Sequence, residues 1–250
     1  MKKRVCLYYS IIILSCFIVS ANAQQEKVIN KQDQAWVSIN NTVRLSNHWG
    51  FIADAHERRN NFFADPSFHF LRAGVDYWLK DNITFVLGYG HMWVAPTTPG
   101  WTTVQNEDRI YQQGQIISKL GTTSMMQRLR NEQRWQDIIV NDKRTGDKKF
   151  TDRIRYLLSF TIPVFKNPYY PAAVISDELC IQFGKEVVYN TFEQNRVFLG
   201  IKQKLTRDLS FDLGYMLVTQ QKASGYVYDE NHTFRWFFYY QPDLRKKKNN

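Results

Sequence analysis

The sequence predicts an all-β fold, a single antiparallel transmembrane β-barrel, and three observations carry that expectation. Segments of alternating polarity recur along the 250 residues, each about ten to fourteen residues long, whereas strands of soluble proteins average about five or six and a tilted membrane-crossing strand needs about nine to eleven. The chain holds 7 Trp, 14 Tyr and 17 Phe although its mean hydropathy is polar at −0.45, as suits a barrel that needs aromatic belts but no long apolar run. Tight turns also alternate with longer polar connections, the habit of barrels with short turns at one rim and long loops at the other.

The chain opens with Lys2, Lys3 and Arg4, an apolar run to Val19 and the triplet Ala21-Asn22-Ala23. This pattern predicts an export signal over residues 1–23, cut before Gln24. A lipid-modified Cys16 is the rival reading, and the apolar residues Phe17 to Val19 beyond it favour ordinary cleavage. No later stretch approaches the roughly 18–20 apolar residues of a spanning helix. Cleavage leaves Cys180 as the one cysteine, so neither an internal disulfide nor a cysteine-based zinc site is expected. Loss of Lys2, Lys3 and Arg4 lowers 33 basic residues to 30 against 23 acidic, a net charge of +7. Export argues against nucleic acid as the partner of that charge.

Strands are predicted at 35–45, 49–58, 68–79, 83–93, 105–119, 123–137, 150–163, 173–184, 192–205, 208–220 and 231–240. In 150–163, Phe150, Ile154, Tyr156, Leu158, Phe160 and Ile162 share a face opposite Arg153 and Arg155. In 208–220, Leu209, Phe211, Leu213, Tyr215 and Leu217 lie opposite Ser210, Asp212 and Gly214. Both read as apolar outside and polar inside. Tight turns are expected at "SNH", "KDN", "LGTT" and "TRD", and long connections at 59–67, 94–104, 138–149 and 221–230. The Pro-rich link "VFKNPYYPA" breaks the rhythm. Eleven segments are an odd count where single-chain bacterial barrels usually have an even one. Residues 24–34 are therefore expected to supply an extra strand or to thread the barrel as a plug. The expected total is about twelve, with ten as the nearest alternative, in one barrel domain over 35–240 followed by a basic tail over 241–250.

With apolar faces outward, the lumen receives Arg44, Asp54, His56, Arg58, Arg72, Asp76, Glu107, Arg109, Arg128, Arg130, Glu132, Arg134, Arg153, Arg155, Glu178, Arg196, Lys202, Asp212 and Arg235. The central candidates are Glu107, Arg109, Arg128, Arg130, Glu132, Arg134, Arg153, Arg155, Glu178 and Arg196. Forked arginine–glutamate pairing among them would rigidify a narrow barrel, or the excess of arginine would contact a small anionic solute. Trp49, Trp78, Trp93, Trp135 and Trp236 are expected in interfacial belts.

Catalysis finds little support. His232 with Thr233, or His56 with Asp54, could be drawn into acyl transfer, but no nucleophile motif such as G-x-S-x-G accompanies them. The five histidines lack close metal-ligand spacing, and no cofactor, metal or catalytic residue is expected. Gly88-Tyr89-Gly90 sits in a strand without a following helix, so these glycines are read as room for bulky luminal neighbours rather than a nucleotide loop.

The stretches "WVSINNTVRLSNHWGFIADAHERR", "FLRAGVDYWLKDNITFVLGYGHMW", "NEDRIYQQ", "RLRNEQRW", "DRIRYLLSFTIP", "ISDELCIQFG", "FEQNRVFLGIKQKLTRDLSFDLGYM" and "HTFRWFFYY" run from Trp36 to Tyr240. In their order and spacing they resemble the bacterial outer-membrane family named domain of unknown function (DUF) 2490, widespread in Bacteroidetes. The resemblance implies an outer-membrane barrel with no assigned activity. The tail "QPDLRKKKNN" departs from members that finish near the aromatic last strand, where the insertion machinery is expected to engage. The expected role is structural, or passage or binding of a small solute, in contact with outer-membrane lipid. An outer-membrane enzyme acting on lipid or surface glycan, and a soluble periplasmic ligand-binding barrel, are the alternatives.

Overall fold

The computed structural model describes residues 26–245, and the expected export signal and Lys246 to Asn250 lie outside them. Eleven strands close into one barrel: β1 (Val28–Arg44), β2 (Trp49–Asn60), β3 (Asp65–Lys80), β4 (Ile83–Val94), β5 (Gln105–Leu120), β6 (Thr123–Val140), β7 (Lys143–Pro163), β8 (Ala172–Phe183), β9 (Phe192–Lys204), β10 (Leu209–Gln221) and β11 (Val227–Tyr240). Each strand pairs antiparallel with its sequence neighbours. No helix occurs among the described residues.

The expected count of twelve is corrected to eleven, and with it the expectation of a wholly antiparallel sheet. An odd meander brings its first and last strands together pointing the same way, so β1 and β11 pair in parallel, from Val28 opposite Val227 to Asn41 opposite Tyr240. Residues 28–34 are neither a plug nor a separate strand. The run from Val28 to Arg44 contains no Gly or Pro to reverse the chain, so it continues as one strand of 17 residues.

The expected long connection 138–149 is also corrected, because β6 and β7 run on to a hairpin at Asn141-Asp142. Their φ values of 52° and 57° are those of a two-residue hairpin turn that needs positive φ at both positions, a geometry Asn and Asp tolerate. The Asp142 carboxylate then accepts the Thr103 N–H at 2.7 Å and the Thr102 N–H at 3.0 Å, tying the 95–104 loop to the hairpin. The link 164–171 leaves the opposite rim, with Phe165 edge-on to Tyr170. Length therefore separates the two rims less than the sequence suggests.

The wall obeys the period-two rule. Val197, Leu199 and Ile201 of β9 are 45%, 59% and 41% exposed on the outer face, while Arg196 and Phe198 are buried within. Trp49, Trp93, Trp135 and Trp236 share the outer parity, but Trp78 does not. It shares the parity of Asp76 and Arg72 and is buried inside, where Gly50 makes space: a Cβ at Gly50 would lie 2.7 Å from its ring. The same device seats Tyr111 over Gly88 and Phe70 over Gly90, with added Cβ atoms at 2.4 and 2.7 Å, as the sequence reading of those glycines expects.

The tail does not leave the barrel at Tyr240. Arg44 N–H donates to Pro242 O at 3.1 Å and Leu244 N–H donates to Arg44 O at 2.9 Å, so residues 242–244 extend the seam. Arg44 and Arg245 both reach Asp81 in the β3–β4 turn, at 2.7 and 3.5 Å.

Candidate functional site

Because arginine and glutamate alternate with outward residues on β5 to β9, their charged ends converge inside the barrel. Glu132 on β6 accepts Arg153 Nε and Arg155 Nη1, each at 2.9 Å, with Arg130 at 3.5 Å and Arg109 at 3.6 Å. Glu178 on β8 accepts Arg128 and Arg155 at 2.7 Å and Arg196 at 2.9 Å. Glu107 accepts Arg109 and Gln136, each at 2.5 Å. Nine of the ten central candidates are thus brought into one lattice, Arg134 joins it through a further carboxylate, and the remaining inward-facing expectations also lie on the luminal side.

One carboxylate was not foreseen. Glu193 accepts Arg134 Nη1 at 2.7 Å and Arg153 Nη1 at 2.9 Å. By strict alternation it would share the outer parity of Asn195. A β-bulge intervenes: Cys180 pairs with Gln194 while Ile181 pairs with Phe192, so Glu193 is the extra residue and turns inward beside Gln194. Bulges re-aim side chains in this way, and in a polarity pattern one shows only as a break in the alternation. The signal that could have found it is the run Glu193-Gln194-Asn195-Arg196, four polar residues in succession at the start of the strand.

Several contacts span strands that are not neighbours. Arg134 reaches from β6 to β9, Arg128 from β6 to β8, and the Arg196 guanidinium lies 5.2 Å from the centre of the Trp36 ring on β1. Chords of this kind tie opposite parts of the wall together. Below them Trp36, Val174, Phe198, Met216 and Val218 form one apolar cluster, and Ile52, Val86 and Tyr111 another. On the remaining wall Asp54 pairs with Arg72, and Asp212 accepts Arg235 at 2.8 Å and the Tyr239 hydroxyl at 2.6 Å.

Charge is not balanced. Apart from Arg44, which pairs with Asp81 at the rim, Arg58, Arg72, Arg109, Arg128, Arg130, Arg134, Arg153, Arg155, Arg196 and Arg235 point inward with Asp54, Asp76, Glu107, Glu132, Glu178, Glu193 and Asp212, ten guanidiniums against seven carboxylates among the described residues. Lys202 adds a further cation, 4.6 Å from the Tyr239 ring centre.

The two acyl-transfer pairings weighed from sequence do not assemble. His232 faces outward against the Tyr215 hydroxyl at 2.6 Å, whereas Thr233 is wholly buried on the luminal side. Asp54 is engaged by Arg72, and neither ring nitrogen of His56 has a protein partner. Cys180 is a free, buried thiol on the luminal face.

An all-β closed barrel with a charged, ion-paired interior and an apolar outer wall is the class of protein these features define. Within it, the family model described as "Protein of unknown function (DUF2490)" matches residues 33–229, and the chain belongs to that family. No curated protein and no solved structure matches it.

Proposed function

We propose that this protein is an outer-membrane β-barrel, exported by its N-terminal signal, placed by the barrel-insertion machinery and surrounded by lipid, whose ion-paired lumen serves as a rigid core and not as an open diffusion pore. The observation that carries the membrane reading is the polarity of the wall: Leu199 and Leu87 are 59% and 60% exposed outside while Arg153 and Glu132 are buried inside. In water that arrangement exposes the residues that gain most from burial and desolvates those that lose most; in a bilayer it is favourable. Trp49, Trp93, Trp135 and Trp236, with Tyr77 and Tyr240 on the same face, supply rings suited to the headgroup zone.

A structural role is favoured over passage because Glu132, Glu178 and Glu193 are each held by two or more arginines, with Arg128 and Arg134 reaching theirs from strands that are not neighbours. The role in this reading is non-enzymatic. Purified in detergent, the protein should migrate differently on a denaturing gel before and after boiling, and reconstituted in a planar bilayer it should lack the steady conductance of an open porin. A monodisperse product that needs no detergent would instead favour the soluble periplasmic barrel, and sustained open-channel steps would restore passage.

A further inference from the structure

Among the luminal arginines Arg58 stands apart. Its guanidinium lies 3.3 Å from the centre of the Trp36 ring and 4.4 Å from that of Phe68, and no carboxylate of the described residues lies within ion-pairing distance of it. Its Nε, the Nε of Arg155 and both ring nitrogens of His56 are buried without a protein partner. His56 and Arg58 are two residues apart on β2 and share its inner face. The charges acting most strongly on Arg58 are those of Arg196, Arg155, Arg109 and Arg153, and those acting on His56 are Arg72, Arg58, Arg130 and Arg155, so cations converge on this side of the lumen.

Stacking on aromatic faces holds a guanidinium in a fixed plane and offsets part of its desolvation, but it leaves the N–H edge free. That edge is a planar fork of donors matched to an oxyanion. Buried like charges repel strongly unless an opposite charge lies among them. The lattice around Glu132, Glu178 and Glu193 achieves this for its own arginines, and no carboxylate of the described residues does so for Arg58.

We propose that Arg58, His56 and the unpartnered Nε–H of Arg155 frame a luminal binding site for a compact phosphate-type oxyanion taken up as a free solute. A free solute and not a lipid phosphate is the ligand because these groups lie on the luminal face, on the side of the wall away from the exposed leucines. The site requires only the closed barrel, so it stands or falls separately from the membrane reading: a barrel that proved water-soluble would carry it unchanged.

The test is equilibrium dialysis of the purified full-length protein against inorganic phosphate, with chloride matching ionic strength, alongside the variants Arg58→Gln, Arg58→Lys and Arg207→Gln. Arg207 lies in the exposed β9–β10 turn. Saturable phosphate binding to the parent protein is expected, weakened at least tenfold in Arg58→Gln, weakened less in Arg58→Lys, which keeps the charge but not the fork, and unaltered in Arg207→Gln. Should Arg58→Gln fail to fold, Arg58→Lys carries the comparison. Absence of saturable binding to the parent, or equal binding by the parent and the Arg58 variants, overturns the proposal.

Discussion

Arg134 and Glu193, 59 positions apart in sequence, meet at 2.7 Å inside the barrel. Arg153 closes on the same carboxylate at 2.9 Å, so one bulged residue of β9 joins β6 and β7 across the lumen. Glu193→Gln leaves two buried guanidiniums short of their counter-charge, and breaking a buried pair costs about 3–5 kcal/mol. Urea unfolding of this variant should show a large fall in midpoint, beside a small one for Glu57→Gln on the outer rim, where an exposed ion pair contributes at most about 1 kcal/mol. Equal losses would mean that the lattice does not hold the barrel.

Gly88 leaves the space that Tyr111 fills. An alanine there would put its Cβ 2.4 Å from the tyrosine ring, whereas at Gly114 on the outer face nothing lies closer than 3.5 Å. Overpacking costs about 1–3 kcal/mol, so Gly88→Ala should destabilise and Gly114→Ala should not. Adding Tyr111→Leu to Gly88→Ala should recover part of the loss, and a double-mutant cycle measures that coupling.

Asp142 anchors the 95–104 loop through the Thr102 and Thr103 N–H groups. Asp142→Ala should accelerate amide exchange at Thr102 and Thr103 while leaving β4 and β5 protected. The backbone hydrogen bond from Thr103, first among the contacts that favour the charged form, holds this carboxyl below its ordinary value. The anchor is therefore complete at neutral pH and is lost as pH falls through that depressed value.

The tail behaves in the same sense. Asp243 is held down to about 2 by its hydrogen bond from Arg245. A carboxylate depressed in the fold contributes above its unfolded value near 4 and loses that contribution as pH falls toward the folded one. Protection of the Leu244 N–H against its intrinsic exchange rate, which reports the extended seam, should be unaltered from pH 7 to pH 5 and should fall relative to the barrel strands only below about pH 4. Asp243→Asn should abolish that pH dependence.

Much of this architecture was legible because period two is a strong signal when sustained. In β7 the alternation of Arg153 and Arg155 with Ile154 and Tyr156 fixes which face is luminal, and all eleven strands follow from similar runs. The missed features are those that alternation does not encode. Glu193 turns inward through a backbone bulge, and for Trp78, which points inward in step with Arg72 and Asp76, alternation does not encode the room for its ring that Gly50 supplies from another strand. Residues 28–34 and 143–149 are mostly polar on both faces, so their strand character comes from pairing with β11 and β6 and not from a pattern of their own. The parallel seam is a property of the count, which one misread segment would alter.

In the proposed membrane setting the odd-numbered face of β9 beyond the bulge meets lipid while its even-numbered face meets the ion-paired lumen. Spin labels placed one at a time from 195 to 203, in a Cys180→Ser background and in lipid vesicles, test it through accessibility to oxygen and to a water-soluble nickel chelate. High oxygen and low nickel accessibility are expected at 197, 199 and 201, with neither high at 196 and 198. High nickel accessibility at 197, 199 and 201, with no alternation along the strand, would contradict it.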